Sequence, residues 1–104
     1  SLPGTLKNAI DWVSRMRPMP FRGKSALLIS ASDSAAGGIR GLWQLRIPLE
    51  GLGVVVYPDM FWLPHALSAF DASGALKDPK VTERLGGVVR GYLEMAGKLA
   101  RPKA

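Results

Sequence analysis

Residues 25–31, Ser-Ala-Leu-Leu-Ile-Ser-Ala, constrain this chain more than any other stretch, because they are apolar or small throughout with no polar alternation. A strand with one wet face alternates. One covered on both faces does not, and that pattern belongs to the interior of a parallel sheet. Parallel strands cannot be joined by a hairpin and need a crossover of a dozen or more residues, usually a helix. Residues 38–52 supply one, with Leu42, Leu45, Leu49 and Leu52 on one stripe. Pro48 removes one backbone hydrogen bond there and predicts a kink or an early end, while Gly51 and Gly53 mark the exit. Val54-Val55-Val56-Tyr57 is a β-branched run stopped by Pro58, hence a second strand.

On either side the signals are helical. Leu2, Leu6, Ile10 and Val13 recur at helical spacing, predicting a helix over 5–16 that starts near Pro3 and stops before Pro18 and Pro20. Lys7 and Asp11, four residues apart, should pair, for a few tenths of a kcal/mol. Residues 59–79 read mostly as loop, because Pro64, the Asp71-Ala72-Ser73-Gly74 turn and Pro79 break regular structure. A last helix over 80–99 places Val81, Leu85, Val88, Tyr92 and Leu99 on its apolar stripe. The order helix, strand, helix, strand, helix predicts an α/β architecture with a parallel sheet. Two strands make a narrow sheet where a doubly wound one normally has about five, in the order 2-1-3-4-5. The expectation is therefore an incomplete fold.

Composition excludes several classes. The chain has 104 residues, 47% hydrophobic and 21% charged, which does not suggest disorder. With no cysteine there is no disulfide, thiolate nucleophile or Cys-based zinc site, and a cytoplasmic location is expected. No apolar run approaches the roughly 18 residues of a membrane span. The net charge of +6 comes from 14 Lys and Arg against 8 Asp and Glu. Such a balance could attract nucleic acid or an anionic nucleotide such as NADPH. A solvated surface is the stronger reading, and no aromatics interleave the basic residues as a single-strand binding surface requires. Lys7, Arg15, Arg17, Arg22 and Lys24 read as a helix end and the loop after it, and Lys98, Arg101 and Lys103 as a solvated tail. His65 is the one histidine, so a loop position facing solvent is expected and a metal site is not. No Gly-x-Ser-x-Gly elbow supports hydrolase chemistry. Trp12, Trp43, Phe61 and Trp62 read as core or interface, and the Met60-Phe61-Trp62-Leu63 run as a subunit contact.

Ligands of open parallel sheets bind beyond the carboxyl ends of the strands. The first strand here ends in Ser30-Ala31-Ser32 and leads through Ser34 into Gly37-Gly38 and a helix N-terminus. Glycines permit close backbone approach, and free N–H groups at a helix start favour negative charge. Unaided, that loop reads as well as an ordinary capped βα turn. Ser1-Leu2-Pro3-Gly4-Thr5-Leu6-Lys7-Asn8-Ala9-Ile10-Asp11-Trp12 resembles a motif of the NADPH-dependent FMN reductases, a flavodoxin-like family of quinone and chromate reductases. Gly23-Lys24, Ser30-Ala31-Ser32, Gly37-Gly38, Arg40 and Leu45-Arg46, then Ala69-Phe70-Asp71, Gly74, Leu76 and Asp78, resemble later segments of that family in the same order. Ser34 stands where the family usually has Gly, and Pro48 where it has an ordinary helix former.

The resemblance implies a flavodoxin-like α/β fold in which residues 1–104 are the C-terminal part of one domain, without its N-terminal phosphate-binding half. It implies FMN and NAD(P)H as cofactors, with Ser1, Leu2, Pro3, Ser32, Ser34, Gly37 and Gly38 beside the flavin and no catalytic side chain. It further implies a quinone, flavin or metal oxyanion as acceptor, and a homodimer or homotetramer. The competing expectation is a non-catalytic interaction or assembly module using the apolar segment around Phe61 and Trp62.

Overall fold

A computed structural model describes residues 3–100; Ser1, Leu2, Arg101 and Lys103 lie outside the described residues. The elements are helix α1 (Gly4–Val13), strands β1 (Ser25–Ala26) and β2 (Ile29–Ala31), helix α2 (Ile39–Gly51), strands β3 (Val55–Val56) and β4 (Phe61–Leu63), a 3-10 turn at Ala66–Ser68, and helix α3 (Pro79–Leu99). β1 pairs with β3 and β2 with β4, both parallel. The α/β expectation holds.

The two expected strands are each broken once, and the break has a geometric cause. Ser25 and Ala26 face Val55 and Val56, whereas Ile29, Ser30 and Ala31 face Phe61, Trp62 and Leu63. Three steps separate Ala26 from Ile29, but five separate Val56 from Phe61. Two extra residues must therefore leave the ladder, and Pro58, which has no N–H to contribute, lies among them. The ladder closes on both sides of the excursion. Tyr57 N–H donates to the Ala26 carbonyl at 2.9 Å, and Phe61 N–H to the Leu28 carbonyl at 3.2 Å. Arg46, reaching from α2, donates from Nη1 to the carbonyls of Tyr57 (3.1 Å) and Pro58 (3.5 Å) while its Nε meets Glu50 Oε1 at 2.8 Å. One guanidinium thus satisfies the backbone that the excursion leaves unpaired.

The core sits between this sheet and α2. Leu28, Leu42, Val54, Val56 and Met60 are buried together, with Phe21, Ala26, Leu45, Leu49 and Trp62 packed against them. α1 adds Ile10. α3 contributes half-buried residues (Val81, Leu85, Val88, Tyr92) but no fully buried one. It is tied down by Tyr92, whose hydroxyl is 3.0 Å from Ser25 Oγ and whose ring meets Tyr57 edge-on at 6.0 Å. Gly91 leaves room for Tyr57, whose hydroxyl a Cβ there would strike. The core is thin, since no described residue is less than 2% exposed. Among the described residues β1 and β2 have a strand partner on one edge only, and Ile29 there is 58% exposed.

Several expectations are corrected. The 59–79 segment is mostly loop, as expected, but it also holds a strand: Phe61–Leu63 follows the bulge and re-enters the ladder beside β2. Phe61 and Leu63 are 5% and 6% exposed, so this run is the chain's own core rather than a subunit contact. Trp12 (64%) and Trp43 (56%) lie outside the core, each beneath an arginine, Arg15 and Arg46. α1 stops at Val13, three residues short of Met16. Pro48 does not end α2, which runs on to Gly51. Leu99 is exposed, beyond the reach of the sheet. The Lys7–Asp11 pair forms at 2.8 Å. Arg17 Nη1 donates to the carbonyls of Ser14 and Met16 just past α1, as a cation at a helix end should.

Replacing Arg46 with Met strands the Tyr57 carbonyl and should destabilise the protein by about 1–2 kcal/mol, the range of a charge-assisted hydrogen bond that is partly solvated. Urea denaturation of the two proteins measures it. Equal midpoints would show that water satisfies the bulge unaided.

Candidate functional site

Parallel pairing brings the exits of β2 and β4 to the same end of the sheet, and the two loops that leave there are bonded to each other. Ser32 N–H donates to the Leu63 carbonyl (3.0 Å), Ala66 N–H to the Ser32 carbonyl (3.1 Å), and His65 N–H to the Ser34 carbonyl (3.2 Å). Within the 32–38 loop, Ser32 Oγ accepts from Ser34 N–H and lies near Ser34 Oγ, both at 3.2 Å. Such a turn is the local alternative to helix that serine offers. Ser30 Oγ donates to the Gly37 carbonyl at 2.7 Å.

Gly37 and Gly38 carry φ of 64° and 85°, two consecutive left-handed residues, which side chains other than glycine resist. A Cβ on Gly37 would sit 2.9 Å from Pro64 N and 3.0 Å from the Leu63 carbonyl carbon; one on Gly38 would sit 3.0 Å from Ser30 Oγ. The missing side chains therefore let the loop close on β4 and β2, and Gly37 is buried. Ligand approach falls to other groups. Gly38 is the N-cap of α2 and has no side chain to cap with. Among the described residues the N–H groups of Ala35, Ala36 and Gly38 donate to no protein acceptor. A rigid turn with unspent amides at a helix start can hold the carbonyl edge of a planar heterocycle or a developing negative charge.

The sequence-predicted residues distribute as follows. Ser32, Ser34, Gly37 and Gly38 share this one loop. Pro3 is the N-cap of α1, with its carbonyl accepting from Lys7 N–H at 3.1 Å, and no hydrogen bond ties it to the loop. Ser1 and Leu2 lie outside the described residues. His65 is exposed, as expected, yet it is also a wall of the site. It adopts φ 48°, the one left-handed non-glycine among the described residues, and its N–H anchors the Ser34 turn. The sequence signal was Pro64-His65 directly after an apolar run, an end-of-strand turn at the height of Ser32 once the register is known.

On the far side of Leu63 and Pro64 lies a cleft of about 290 Å³, lined also by His65, Lys77, Asp78 and Arg84. Arg84 stacks 5.1 Å from the Phe61 ring and 5.9 Å from Trp62, and its Nη2 donates to the Trp62 carbonyl at 3.2 Å. Asp78 caps α3, with Oδ1 accepting from Lys80 N–H at 2.9 Å. The neighbouring Asp71 turn is closed by Oδ1 accepting from Ser73 Oγ (2.6 Å), Ser73 N–H (2.8 Å) and Ala75 N–H (3.1 Å). The Ser73 side chain first, then these amides, hold the Asp71 carboxyl below its ordinary value. Among the described residues no group of three or more His, Asp or Glu side chains is placed to hold a metal ion.

The NADPH-dependent FMN reductase family model matches residues 1–68. An NAD(P)H-dependent FMN reductase of Pseudomonas aeruginosa is 42% identical over 85 residues, covering 80% of this chain and 45% of that protein. A probable NADPH:quinone oxidoreductase of Oryza sativa is 33% identical over 99% of this chain and 53% of its own length. The solved structure of a flavoenzyme NAD(P)H:(acceptor) oxidoreductase from Paracoccus denitrificans superposes with a TM-score of 0.77 at 31% identity, covering 92% of this chain and 54% of that one. The chain spans about half the length of these relatives.

Two outcomes are expected at this site. Gly37→Ala combines a left-handed φ with a backbone clash and should cost about 2 kcal/mol or more in thermal or chemical unfolding; a cost near zero would mean the loop is free to move off Pro64. Asp71 has a depressed folded pKa, so it stabilises the fold above its unfolded value, roughly 4, and loses that contribution as pH falls through the folded value. Asp71→Asn should therefore flatten the acid side of the stability profile below about pH 4, and an unchanged acid limb would exclude the turn as a source of it.

Proposed function

The chain belongs to the NADPH-dependent FMN reductase family, and on that premise we propose that the protein is an NAD(P)H-dependent flavin oxidoreductase that binds FMN at the 32–38 loop. One observation carries the reading. At the shared carboxyl end of two parallel strands, a turn locked by Ser30, Ser32, Ser34, Gly37 and Gly38 presents unspent amides of Ala35, Ala36 and Gly38. Those donors suit the O2, N3 and O4 edge of a flavin and the negative charge that gathers there on reduction. They are neutral, fixed and not bound for any other purpose in the fold.

The chemistry supplied when FMN is bound is relay of a hydride equivalent from NAD(P)H to a small acceptor such as a quinone, a flavin or a metal oxyanion. This chain's part is to orient the ring and to hold charge at its pyrimidine edge. Ser32 fixes the turn, Ser34 offers a hydroxyl beside the amides, and Gly37 and Gly38 let the turn pack hard against β2 and β4. Ser1, Leu2 and Pro3 belong to the same proposed pocket. No side chain is assigned as acid or base.

The proposed domain is larger than this unit. Residues 1–104 act as the C-terminal part of a flavodoxin-like domain whose other half binds the phosphate. The coverage of the relatives supports that, as does the edge of β1 and β2 that has no strand partner among the described residues, with Ile29 uncovered. A homodimer or homotetramer is proposed on the exposed Trp12, Trp43 and Ile47 of α1 and α2. No described helix is long and apolar enough to cross a membrane; the absence of cysteine supports the cytoplasm as the proposed location.

A visible absorption spectrum, taken as purified and during FMN titration, tests the reading. Flavin bands should appear by one equivalent, and Ser34→Ala should weaken FMN binding roughly fivefold, the worth of one neutral hydrogen bond. A colourless protein that ignores FMN would refute it.

A further inference from the structure

We propose that the cleft between the exit of β4, residues 76–78 and the first turns of α3 is a subsite for a phosphate group of the nucleotide reductant, a reading that rests on the protein being an NAD(P)H-dependent flavoenzyme. Size is the first argument. At about 290 Å³ the cleft lies at the lower end of the ~300–1,000 Å³ of small-molecule sites. That volume suits a phosphate with its sugar rather than a whole dinucleotide.

Chemistry is the second. Leu63 and Pro64 form an apolar wall, while His65, Lys77 and Arg84 bring nitrogen donors. The side chain of Lys77 makes no hydrogen bond or ion pair among the described residues, although its backbone N–H is engaged by the Ala69 carbonyl at 2.9 Å. Its ammonium therefore keeps all three donors for a ligand. Arg84 donates from Nη2 to the Trp62 carbonyl, and its Cζ lies 5.1 Å from the Phe61 ring and 5.9 Å from that of Trp62. Anchored at that one N–H, the guanidinium keeps its other donors for phosphate oxygens. The one carboxylate in the lining, Asp78, is already engaged as the cap of α3.

Position is the third. Leu63, Pro64 and His65 form a wall of this cleft, and the same segment with Ala66 is bonded to the 32–38 loop, through Ser32 to Leu63, Ala66 to Ser32 and His65 to Ser34. A nucleotide anchored by its phosphate in the cleft is thus one wall away from the proposed flavin loop.

The test is calorimetric titration of the purified protein with adenosine 2′,5′-bisphosphate, adenosine and inorganic phosphate, repeated on Lys77→Gln and Lys77→Arg. Lys77 is exposed and its side chain supports nothing else, so both variants should fold. The bisphosphate should bind and adenosine should not. Lys77→Gln should weaken the bisphosphate about tenfold, the loss of one charge-assisted hydrogen bond, and Lys77→Arg should restore most of it. The proposal is overturned if the bisphosphate does not bind, if it binds wild type and Lys77→Gln equally, or if inorganic phosphate binds as tightly as the bisphosphate. A parallel FMN titration separates the two readings. FMN binding with Lys77-independent bisphosphate binding removes the subsite and leaves the flavoenzyme standing. Lys77-dependent bisphosphate binding without FMN binding supports a phosphate subsite here and removes the flavoenzyme.

Discussion

The parallel ladder between residues 25–31 and 55–63 must keep its pairing across two extra residues on one side, and the rest of the chain is arranged around that constraint. A parallel strand pair obliges a helical crossover, so α2 is where it is. Because the excursion at residues 58–60 leaves carbonyls without ladder partners, α2 presents Arg46 to them. Because both strands run the same way, their exits lie together, and the loops after β2 and β4 bond directly. Without the step in register, Phe61 and Leu63 would not face Ile29 and Ala31, and neither the 32–38 loop nor the Arg84 cleft would be built as it is.

The same ladder separates conformational demand from ligand demand at the candidate site. Gly37 and Gly38 are glycine because the backbone turns left-handed twice and then meets β4 and Ser30. Their contribution to binding is indirect: a turn clamped this closely presents amides that do not have to reorganise around a ligand. His65 plays a parallel part from the other loop. Its left-handed backbone holds Ser34 in place while the residue also lines the neighbouring cleft.

Much of this was legible in the sequence, for reasons that are local. The unalternating 25–31 stretch, the Leu42, Leu45 and Leu49 stripe and the Val54–Val56 run encode burial by period, and burial follows. The small-residue loop ending in Gly37-Gly38 is readable because left-handed turns need glycine. What failed depended on partners distant in sequence. Met60-Phe61-Trp62-Leu63 read as a subunit contact because a four-residue apolar run among prolines carries no period, and only pairing with β2 makes it a strand. Trp12 and Trp43 read as core or interface because they are large; their exposure excludes the core, and each lies beneath an arginine, Arg15 and Arg46. Of the kink or early end read at Pro48, the early end does not occur: its cost is a single hydrogen bond, and α2 runs on to Gly51.

By itself, then, the sequence determined the order of helices and strands, the parallel sense of the sheet and the loop that serves as candidate site, since each is written in a periodicity or in a conformational need of a single residue. Tertiary structure alone decided the register step, the use of Arg46 to satisfy it, the fourth strand and the joining of His65 to Ser34. These depend on which backbone groups are left unpaired once two strands thirty residues apart are laid side by side, and no local pattern records that.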